Sequence, residues 1–306
     1  MTSAGRKLRI FKKRDVPLYI MAAPTVLYTL LFSYIPMAGI IMAFQKYNNG
    51  KGIFGSPFSG FKNFEFLFAS TDAWTITRNT LLYNVVFIVL NTLLSIIVAV
   101  MLSMLRTRRT AKVLQTVYIM PYFMSWAVVY VLVASFLEMN YGLVNSILGL
   151  HTNWYAQIKI WPYVLVVVNA WKNVGYNTVL YLAVISGISN DYYEAAVLDG
   201  ASKFRQARFI TLPHLRFVIG ITTILNVGGI FRGDFGLFYT VPQMNLHGVL
   251  FPVTGIIDTY IYNGLQNLGN MGMATAAGVY QSVVGLIMLL AVNKIVSKID
   301  PDLAMF

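Results

Sequence analysis

Charged residues and cysteine are both scarce in this chain. Asp, Glu, Lys and Arg make up 11% of its 306 residues, whereas soluble domains carry about 25%. Cysteine is absent, which excludes disulfides and thiolate metal sites. The three histidines, His151, His214 and His247, are far apart in the sequence, so neither a metal site nor a histidine-based catalytic triad is predicted. Water is therefore not the main solvent expected for this protein.

A phosphate-binding loop is also missing. Such a loop reads GxxxxGK[ST], because backbone amides cradle the phosphates and the lysine contacts them. The single Gly-Lys pair, Gly50-Lys51, has Gln45 in place of the first glycine and Gly52 in place of the hydroxyl residue. We therefore predict no ATP or Mg²⁺ site and no catalytic residue on this chain.

Long apolar runs take up most of the sequence instead. Hydrophobic residues make up 57% of it, and a helix that crosses the bilayer core needs about 20 mostly apolar residues. The runs are continuous, unlike the short alternating segments of a membrane β-barrel. The sequence predicts an all-α, polytopic membrane protein with six transmembrane helices. The predicted spans are residues 18–43, 80–104, 113–137, 160–188, 215–236 and 272–293.

Lys and Arg cluster in four segments beside these spans. Sixteen of the 23 basic residues lie in residues 1–15, 105–112 and 189–217 and after residue 293. With six spans all four segments fall on one side, which is predicted to be cytoplasmic because short basic loops stay there. Both termini are then cytoplasmic. The predicted division is a basic N-terminus at 1–17, a membrane domain at 18–296 and a C-terminus at 297–306.

The net charge of +12 would suit a nucleic-acid partner, because clustered Lys and Arg neutralise phosphates. The basic residues flank membrane spans, however, where anionic lipid and insertion topology already explain them. We therefore predict the lipid bilayer as a partner and no nucleic acid. The first apolar run is longer than the roughly 7 to 15 residues of a cleavable signal peptide, so it is interpreted as an uncleaved span.

A polar, helix-compatible segment, SNDYYEAAVLDGASKFRQARFITLPHLRF, separates the fourth and fifth spans. Asn190 or Asp191 is predicted to cap a first short helix that ends at Gly200. A second short helix is predicted over 202–210, and Pro213 is expected to stop it before the fifth span. By composition alone, two short amphipathic helices fit the lipid headgroup layer as well as a docking site.

The spacing within this segment resembles the EAA signature of type I ABC importer permeases. Glu194-Ala195-Ala196 is followed after three residues by Gly200 and after nine more by Ile210-Thr211-Leu212-Pro213. The resemblance implies that residues 189–213 form a cytoplasmic coupling-helix loop that docks in a cleft of an ATPase subunit. It also implies that Glu194 pairs with a basic ATPase residue and that Gly200 sets the turn. The residues assigned to ATPase coupling are Glu194, Ala195, Ala196, Asp199, Gly200, Ile210, Leu212 and Pro213.

Three further stretches resemble the carbohydrate class of these permeases, and in particular those for polysaccharide or complex oligosaccharide import. They are PLYIMAAPTVLYTLLFSYIPMAGIIMAFQKYN, NTLLYNVVFIVLNTLLSIIVAVMLS and FRGDFGLFYTVP. The resemblance implies a subunit of the bacterial inner membrane that forms the pathway for an oligosaccharide or polysaccharide fragment by alternating access. The implied partners are a second, similar permease in a heterodimer, two ATP-binding-cassette subunits that hold ATP and Mg²⁺, and an extracytoplasmic solute-binding protein.

Charged and polar residues of the fourth and fifth spans are the candidates for the substrate pathway. Charged groups inside the hydrocarbon region usually face a bundle interior or a wet cavity. Asn173, Tyr176 and Asn177 share one helical face, which would offer a sugar hydrogen-bond partners and ring stacking. The sequence leaves equally open that Lys172 and Asp234 only form an internal ion pair joining two spans. The candidate set is Trp171, Lys172, Asn173, Tyr176, Asn177, Arg232, Asp234 and Phe235.

The fifth span also contains two glycines, Gly229 and Gly233, at the GxxxG spacing. Small residues at that spacing let membrane helices pack closely, and we prefer this interpretation to a hinge. Arg232 and Asp234 are placed to satisfy each other locally where glycines loosen the span.

Two other classes of protein remain as alternatives. A membrane-embedded glycosyltransferase would need acidic pairs or metal ligands, but the cluster of Asp191, Glu194 and Asp199 is already explained by the EAA pattern. An ion-coupled transporter would carry intramembrane carboxylates or an inverted repeat, and the sequence shows one plausible carboxylate and no clear repeat. For the substrate, another solute of the same importer class is the alternative to a carbohydrate.

Overall fold

Helices dominate the computed structural model, which describes residues 16–65, 70–105, 107–243, 248–266 and 270–299. Within these residues, β-pairing is limited to one antiparallel bridge between Gln45 and Phe58, so the predicted all-α class is confirmed. The helices are α1 (Val16–Phe44), α2 (Gly52–Gly55), α3 (Thr71–Ser103), α4 (Arg108–Ile119), α5 (Trp126–Leu137), α6 (Leu143–Leu148), α7 (Trp161–Ser186), α8 (Asn190–Leu198), α9 (Lys203–Gly228), α10 (Phe235–Thr240), α11 (Phe251–Thr254), α12 (Ile257–Gln266) and α13 (Met271–Ile299), with 3₁₀ turns at Lys62–Phe64, Met120–Phe123 and Trp154–Ala156.

Four helices, α1, α3, α9 and α13, are long and apolar enough to cross a membrane. The α4 and α5 pair meets the same test only if the two helices form one broken span. α7 has 26 residues, a length of about 39 Å, but polar residues at its centre lower its apolarity. The predicted all-helical membrane architecture is confirmed, whereas the count of six spans stays a prediction. Residues 1–15 and 300–306 of the predicted termini lie outside the described residues.

The predicted third span, 113–137, is broken in its middle. The axes of its two halves differ by 100°. Pro121 has no N–H to donate to a helical ladder and lies in the 3₁₀ turn that ends the first half. The second half begins with a cap of its own, because Ser125 Oγ accepts a hydrogen bond from the Val128 N–H at 3.4 Å. A helix end and a helix start therefore meet inside the bundle.

The fifth span lies earlier than predicted, at Lys203–Gly228 rather than 215–236. Pro213 was expected to stop the preceding helix, and this prediction is wrong. A π-helical turn at Ala207–Thr211 precedes the proline, and the wider turn lets the chain continue without the missing N–H. The second helix of the coupling loop and the fifth span are thus one continuous helix, α9.

The GxxxG interpretation is also wrong. α9 ends at Gly228 and Gly229 is its C-cap, so Gly229 and Gly233 do not share a helix. Gly233 still allows a close approach, since a Cβ atom there would lie 2.3 Å from Ile256 Cδ1. Residues 229–234 form a non-helical break between α9 and α10, which we call the 229–234 break.

The core joins α3, α5 and α7 to the segments that follow this break. Trp161 and Leu165 of α7 are fully buried, as is Leu237 of α10, and they belong to one apolar cluster with Tyr83 of α3. The ring of Tyr83 lies 4.8 Å from that of Phe238 in an edge-to-face contact. The short helix after the break is therefore fixed against the long helices.

Candidate functional site

The coupling-loop helix α8 begins one or two residues earlier than predicted. Ser189 is the N-cap, and its side chain accepts a hydrogen bond from the Asp191 N–H at 3.3 Å. Asn190 and Asp191, the predicted caps, are already helical, and an N-cap requires an extended backbone such as that of Ser189 (φ −60°, ψ 136°). Asp191 instead contributes a negative charge to the first turn, which suits the helix dipole.

The end of α8 confirms the turn predicted at Gly200. Gly200 has φ +74°, a left-handed conformation that glycine adopts at little cost. The Ala201 N–H donates to the Ala196 carbonyl at 2.8 Å and the Gly200 N–H to the Val197 carbonyl at 3.0 Å. These two bonds form a Schellman motif. The chain turns there and continues into α9.

Two side-chain contacts attach the loop to the bundle. The hydroxyl groups of Tyr193 and Thr211 are 3.0 Å apart, which links α8 to α9. Lys203 Nζ donates to the Met104 carbonyl at 3.1 Å, so the loop also contacts the end of α3. The basic segments near 105–112 and 189–217 therefore lie at the same end of the bundle.

The outer surface of the loop combines the predicted acidic group with exposed apolar side chains. Glu194 is exposed and makes no hydrogen bond or ion pair with the described residues. Leu198 is 88% exposed and Phe204 is 74% exposed. The other predicted coupling residues are distributed along the same segment: Ala195, Asp199, Gly200, Leu212 and Pro213 are exposed, and Ala196 and Ile210 are half-buried.

A cavity of about 540 Å³ lies between α3, α7, α9 and the 229–234 break. It brings together five residues of the predicted pathway, namely Asn173, Tyr176, Asn177, Arg232 and Asp234. Trp171, Lys172 and Phe235 are not among its lining residues. The lining residues that sequence reasoning missed are Asn84, Phe87, Ile88, Asn91, Tyr122, Asn169, Leu225, Asn226, Gly229 and Gly233.

Amide side chains give the cavity its chemical character. Six asparagines line it, and Asn84 and Asn91 are two helical turns apart on one face of α3. Neutral amides both donate and accept hydrogen bonds, as sugar hydroxyl groups do. Only two of the six, Asn173 and Asn177, were predicted from the sequence, because the search centred on charged residues within apolar runs. An asparagine within a span was itself a usable signal.

Side chains from three elements hold the 229–234 break in place. Asn84 Nδ2 donates to the Ile230 carbonyl at 2.9 Å and to the Arg232 carbonyl at 3.2 Å. Gln281 Nε2 donates to the Phe231 carbonyl at 2.6 Å, and the Gly233 N–H donates to Asp258 Oδ2 at 2.7 Å. Irregular backbone at membrane depth is tolerated where protein satisfies it or where it lines a wet cavity. Here the protein satisfies the backbone, and the break also lines the polar cavity.

Lys172 contacts backbone and not Asp234. Its ammonium group carries three donors and lies 3.2 Å from the Pro121 carbonyl, 2.9 Å from that of Tyr122 and 2.5 Å from that of Met124. Asp234 caps α10 by accepting from the Leu237 N–H at 3.2 Å. The alternative of a direct Lys172–Asp234 ion pair is therefore wrong for this structure.

The position of Lys172 explains how the α4–α5 break is held. Its charge lies at the carbonyl end of a helical segment, where a cation is favoured, and its Nζ is 5.0 Å from the centre of the Trp126 ring. Next to it, the rings of Tyr122 and Tyr176 stack at 4.6 Å with an 18° interplanar angle. The lysine thus fixes the backbone that carries one of the two stacked tyrosine rings in the cavity wall.

Replacing Lys172 with methionine is expected to destabilise the protein by about 3 kcal/mol, because buried carbonyls lose charge-assisted donors. Thermal unfolding of the purified protein in detergent measures the effect. Lys159→Met, at an exposed position just before α7, removes the same charge and is expected to unfold at the wild-type temperature. Equal unfolding temperatures for wild type and Lys172→Met would contradict the role given to this lysine.

Comparison with known proteins agrees with the resemblance noted in the sequence. Residues 91–301 match the family described as binding-protein-dependent transport system inner membrane component. The polygalacturonan/rhamnogalacturonan transport system permease protein YteP of Bacillus subtilis (strain 168) is 33% identical over 93% of this chain and 89% of its own length. Protein LplB of the same organism is 31% identical over 95% and 91%.

A solved structure has the same architecture. A chain of a bacterial ABC transporter involved in the import of the acidic polysaccharide alginate aligns with a TM-score of 0.85 and 29% identity, over 94% of this chain and 97% of that one. A second structure of a bacterial alginate ABC transporter, in complex with alginate pentasaccharide-bound periplasmic protein, gives 0.83 and 30% over 94% and 96%. The chain described here therefore belongs to the family of inner membrane components of binding-protein-dependent transport systems.

Proposed function

We propose that this chain forms the translocation pathway of an ATP-binding-cassette importer for an oligosaccharide or a polysaccharide fragment. The observation that carries the proposal is the cavity at the 229–234 break, whose wall combines asparagine amides with the stacked rings of Tyr122 and Tyr176. Amides match sugar hydroxyl groups, and aromatic rings match pyranose faces. The relatives named for polygalacturonan, rhamnogalacturonan and alginate support the same class of substrate.

Within the cavity, Asn173, Tyr176 and Asn177 of α7 face Arg232 and Asp234 of the break. We assign these five residues to the substrate pathway. Lys172 supports them through the backbone of the α4–α5 break. Trp171 and Phe235 do not line the cavity in this structure, so a role for them would require another state of the alternating-access cycle.

Energy is proposed to enter through the coupling loop at 189–213. Two partner ATPase subunits hold ATP and Mg²⁺, and this chain binds no cofactor of its own. α8 is docked in an ATPase cleft through Glu194 and the exposed apolar side chains beside it. Because the loop continues directly into α9 and contacts α3, movement of the cleft is transmitted to two walls of the cavity.

The remaining partners and the topology follow the same scheme. A second, similar permease completes the pathway as a heterodimer, and an extracytoplasmic binding protein delivers the sugar, as the periplasmic protein bound to the alginate transporter suggests. Six spans place the coupling loop and both termini in the cytoplasm. The surface of α1 is largely exposed, with 6% of its most apolar stretch buried, which leaves it available to lipid or to the second permease.

The ion-coupled alternative gains no support from the cavity. An ion-coupled transporter would use its intramembrane carboxylates to bind the ion. Asp234 and Asp258 instead accept hydrogen bonds from the N–H groups of Leu237 and Gly233. They thus hold the C-terminal end of the 229–234 break and the start of α10, which is a structural task.

The proposal is tested with the complete transporter in proteoliposomes, with maltotriose, trigalacturonate and an alginate trisaccharide as labelled sugars and leucine as a labelled control. We expect uptake of at least one trisaccharide that requires ATP and the binding protein, and no uptake of leucine. Uptake driven by an ion gradient without ATP would support the ion-coupled alternative, and uptake of leucine alone would overturn the substrate class.

A further inference from the structure

Two asparagines in the cavity wall form an incomplete hydrogen-bonded pair between α3 and α7. Asn91 Nδ2 donates to Asn169 Oδ1 at 2.9 Å. Asn169 is 5% exposed, so the pair lies deep in the bundle. Asn91 Oδ1 is buried and has no hydrogen-bond partner among the described residues. Asn169 Nδ2 also makes no hydrogen bond with them, and both residues line the cavity.

The presence of one amide oxygen and one amide nitrogen without partners does not depend on how the two amides are oriented. Amide oxygen and nitrogen are assigned from the hydrogen-bond network. If both side chains were turned over, Asn169 would donate to Asn91, and the pair would still leave one amide oxygen and one amide nitrogen without a partner. A buried amide group without a partner is costly and requires an explanation.

Other polar groups at the same interface are satisfied within the protein. Ser95 Oγ donates to the Val174 carbonyl at 2.9 Å, and Thr178 Oγ1 donates to the same carbonyl at 2.7 Å. Both side chains are fully buried. Among these polar groups of the α3–α7 interface, only those of the asparagine pair lack partners, and both asparagines line the cavity. This distinguishes the pair from polar groups that take part in ordinary helix packing.

We propose that Asn91 and Asn169 together bind a pair of adjacent hydroxyl groups on a pyranose ring as the sugar passes through the membrane. A free acceptor beside a free donor complements hydroxyl groups, which both donate and accept, and does not complement a carboxylate, which only accepts. The pair therefore recognises the sugar ring and not its acidic substituents. This inference rests on the proposed function and adds a residue pair that selects for ring hydroxyl groups.

The test uses the complete transporter in proteoliposomes with saturating sugar, so that the binding protein is fully loaded. The probes are maltotriose and trigalacturonate, each beside an analogue that lacks the 3-hydroxyl group of its central residue. The wild type is expected to import the parent sugar about tenfold faster than the analogue, because one hydrogen bond changes an equilibrium by up to about tenfold.

Asn91→Ala and Asn169→Ala are expected to reduce this ratio to about twofold or less. Asn169→Asp keeps the acceptor for Asn91 Nδ2 and loses the free donor, so it separates recognition from helix pairing and is expected to lower the ratio as well. Ser95→Ala removes a hydrogen bond between the same helices but no free group, and should keep the tenfold ratio.

Three outcomes would overturn the proposed binding site. A tenfold ratio that persists in Asn91→Ala and Asn169→Ala overturns the site and leaves a pair that binds only water. A wild type that imports parent and analogue at equal rates also overturns it, without affecting the proposed function. A wild type that imports neither parent sugar but does import a solute other than a carbohydrate overturns the proposed function, and the site with it.

Discussion

Gly175→Ala is expected to force α7 away from α4 and to destabilise the protein by about 3 kcal/mol or more. A Cβ atom at this position would lie 1.8 Å from the Tyr118 carbonyl oxygen and 2.8 Å from the Ile119 nitrogen. Both are backbone atoms, which cannot turn aside as a side chain does. One methyl group would therefore require two packed helices to separate, and thermal unfolding in detergent measures the loss.

A second glycine in a membrane helix provides the control for this prediction. Gly278 lies in α13, and a Cβ atom there would meet only Ile261 Cδ1 at 4.0 Å, which is an ordinary contact. Gly278→Ala is expected to be neutral or slightly stabilising, because alanine favours the helix by up to about 1 kcal/mol. If both variants unfold at the wild-type temperature, the close backbone contact between α4 and α7 is wrong.

The same close contact supports the cavity wall. Lys172, Gly175 and Tyr176 lie on one face of α7, three and four residues apart. The glycine lets α7 approach α4, the lysine reaches the carbonyls of the α4–α5 break, and the tyrosine stacks on Tyr122. Gly175→Ala is therefore expected to impair uptake even where the protein still folds.

The sequence predicted elements whose signals are local. The turn at Gly200 required a residue that tolerates a left-handed backbone, and the structure has φ +74° there. The polar face of α7 was visible because 173, 176 and 177 follow the helical period. Both features depend on neighbouring residues, so pattern and propensity were sufficient to find them.

Features that depend on long-range contacts were missed. Pro213 considered alone predicts the end of a helix, but the π turn at Ala207–Thr211 accommodates its missing N–H and the helix continues. Gly228 and Gly229 are a local signal for the end of α9, but the non-helical backbone that follows is satisfied by Asn84, Gln281 and Asp258 of other helices. For Lys172 the sequence left a pathway role and an ion pair with Asp234 equally open. Its actual acceptors are backbone carbonyls about 50 residues away, which side-chain identity does not reveal.

Glu194→Lys is expected to abolish transport while leaving the membrane domain folded. Glu194 is exposed on α8 and makes no hydrogen bond or ion pair with the described residues, so reversing its charge costs the isolated chain little. In the assembled transporter a lysine would face the basic ATPase residue that the EAA resemblance implies, and like charges at an interface are strongly unfavourable. The ATPase activity stimulated by the sugar-loaded binding protein should fall to its unstimulated level.

Glu65→Lys makes the same charge change in an exposed loop before α3, at the opposite end of that helix from the coupling loop. Its sugar uptake and stimulated ATPase activity should equal those of the wild type. Both variants should unfold at the wild-type temperature, because neither glutamate side chain makes a hydrogen bond or ion pair with the part of the chain that the structure describes. Wild-type uptake by Glu194→Lys would show that α8 does not transmit the work of the ATPase through this carboxylate. Loss of uptake together with a lowered unfolding temperature would assign the glutamate to folding instead.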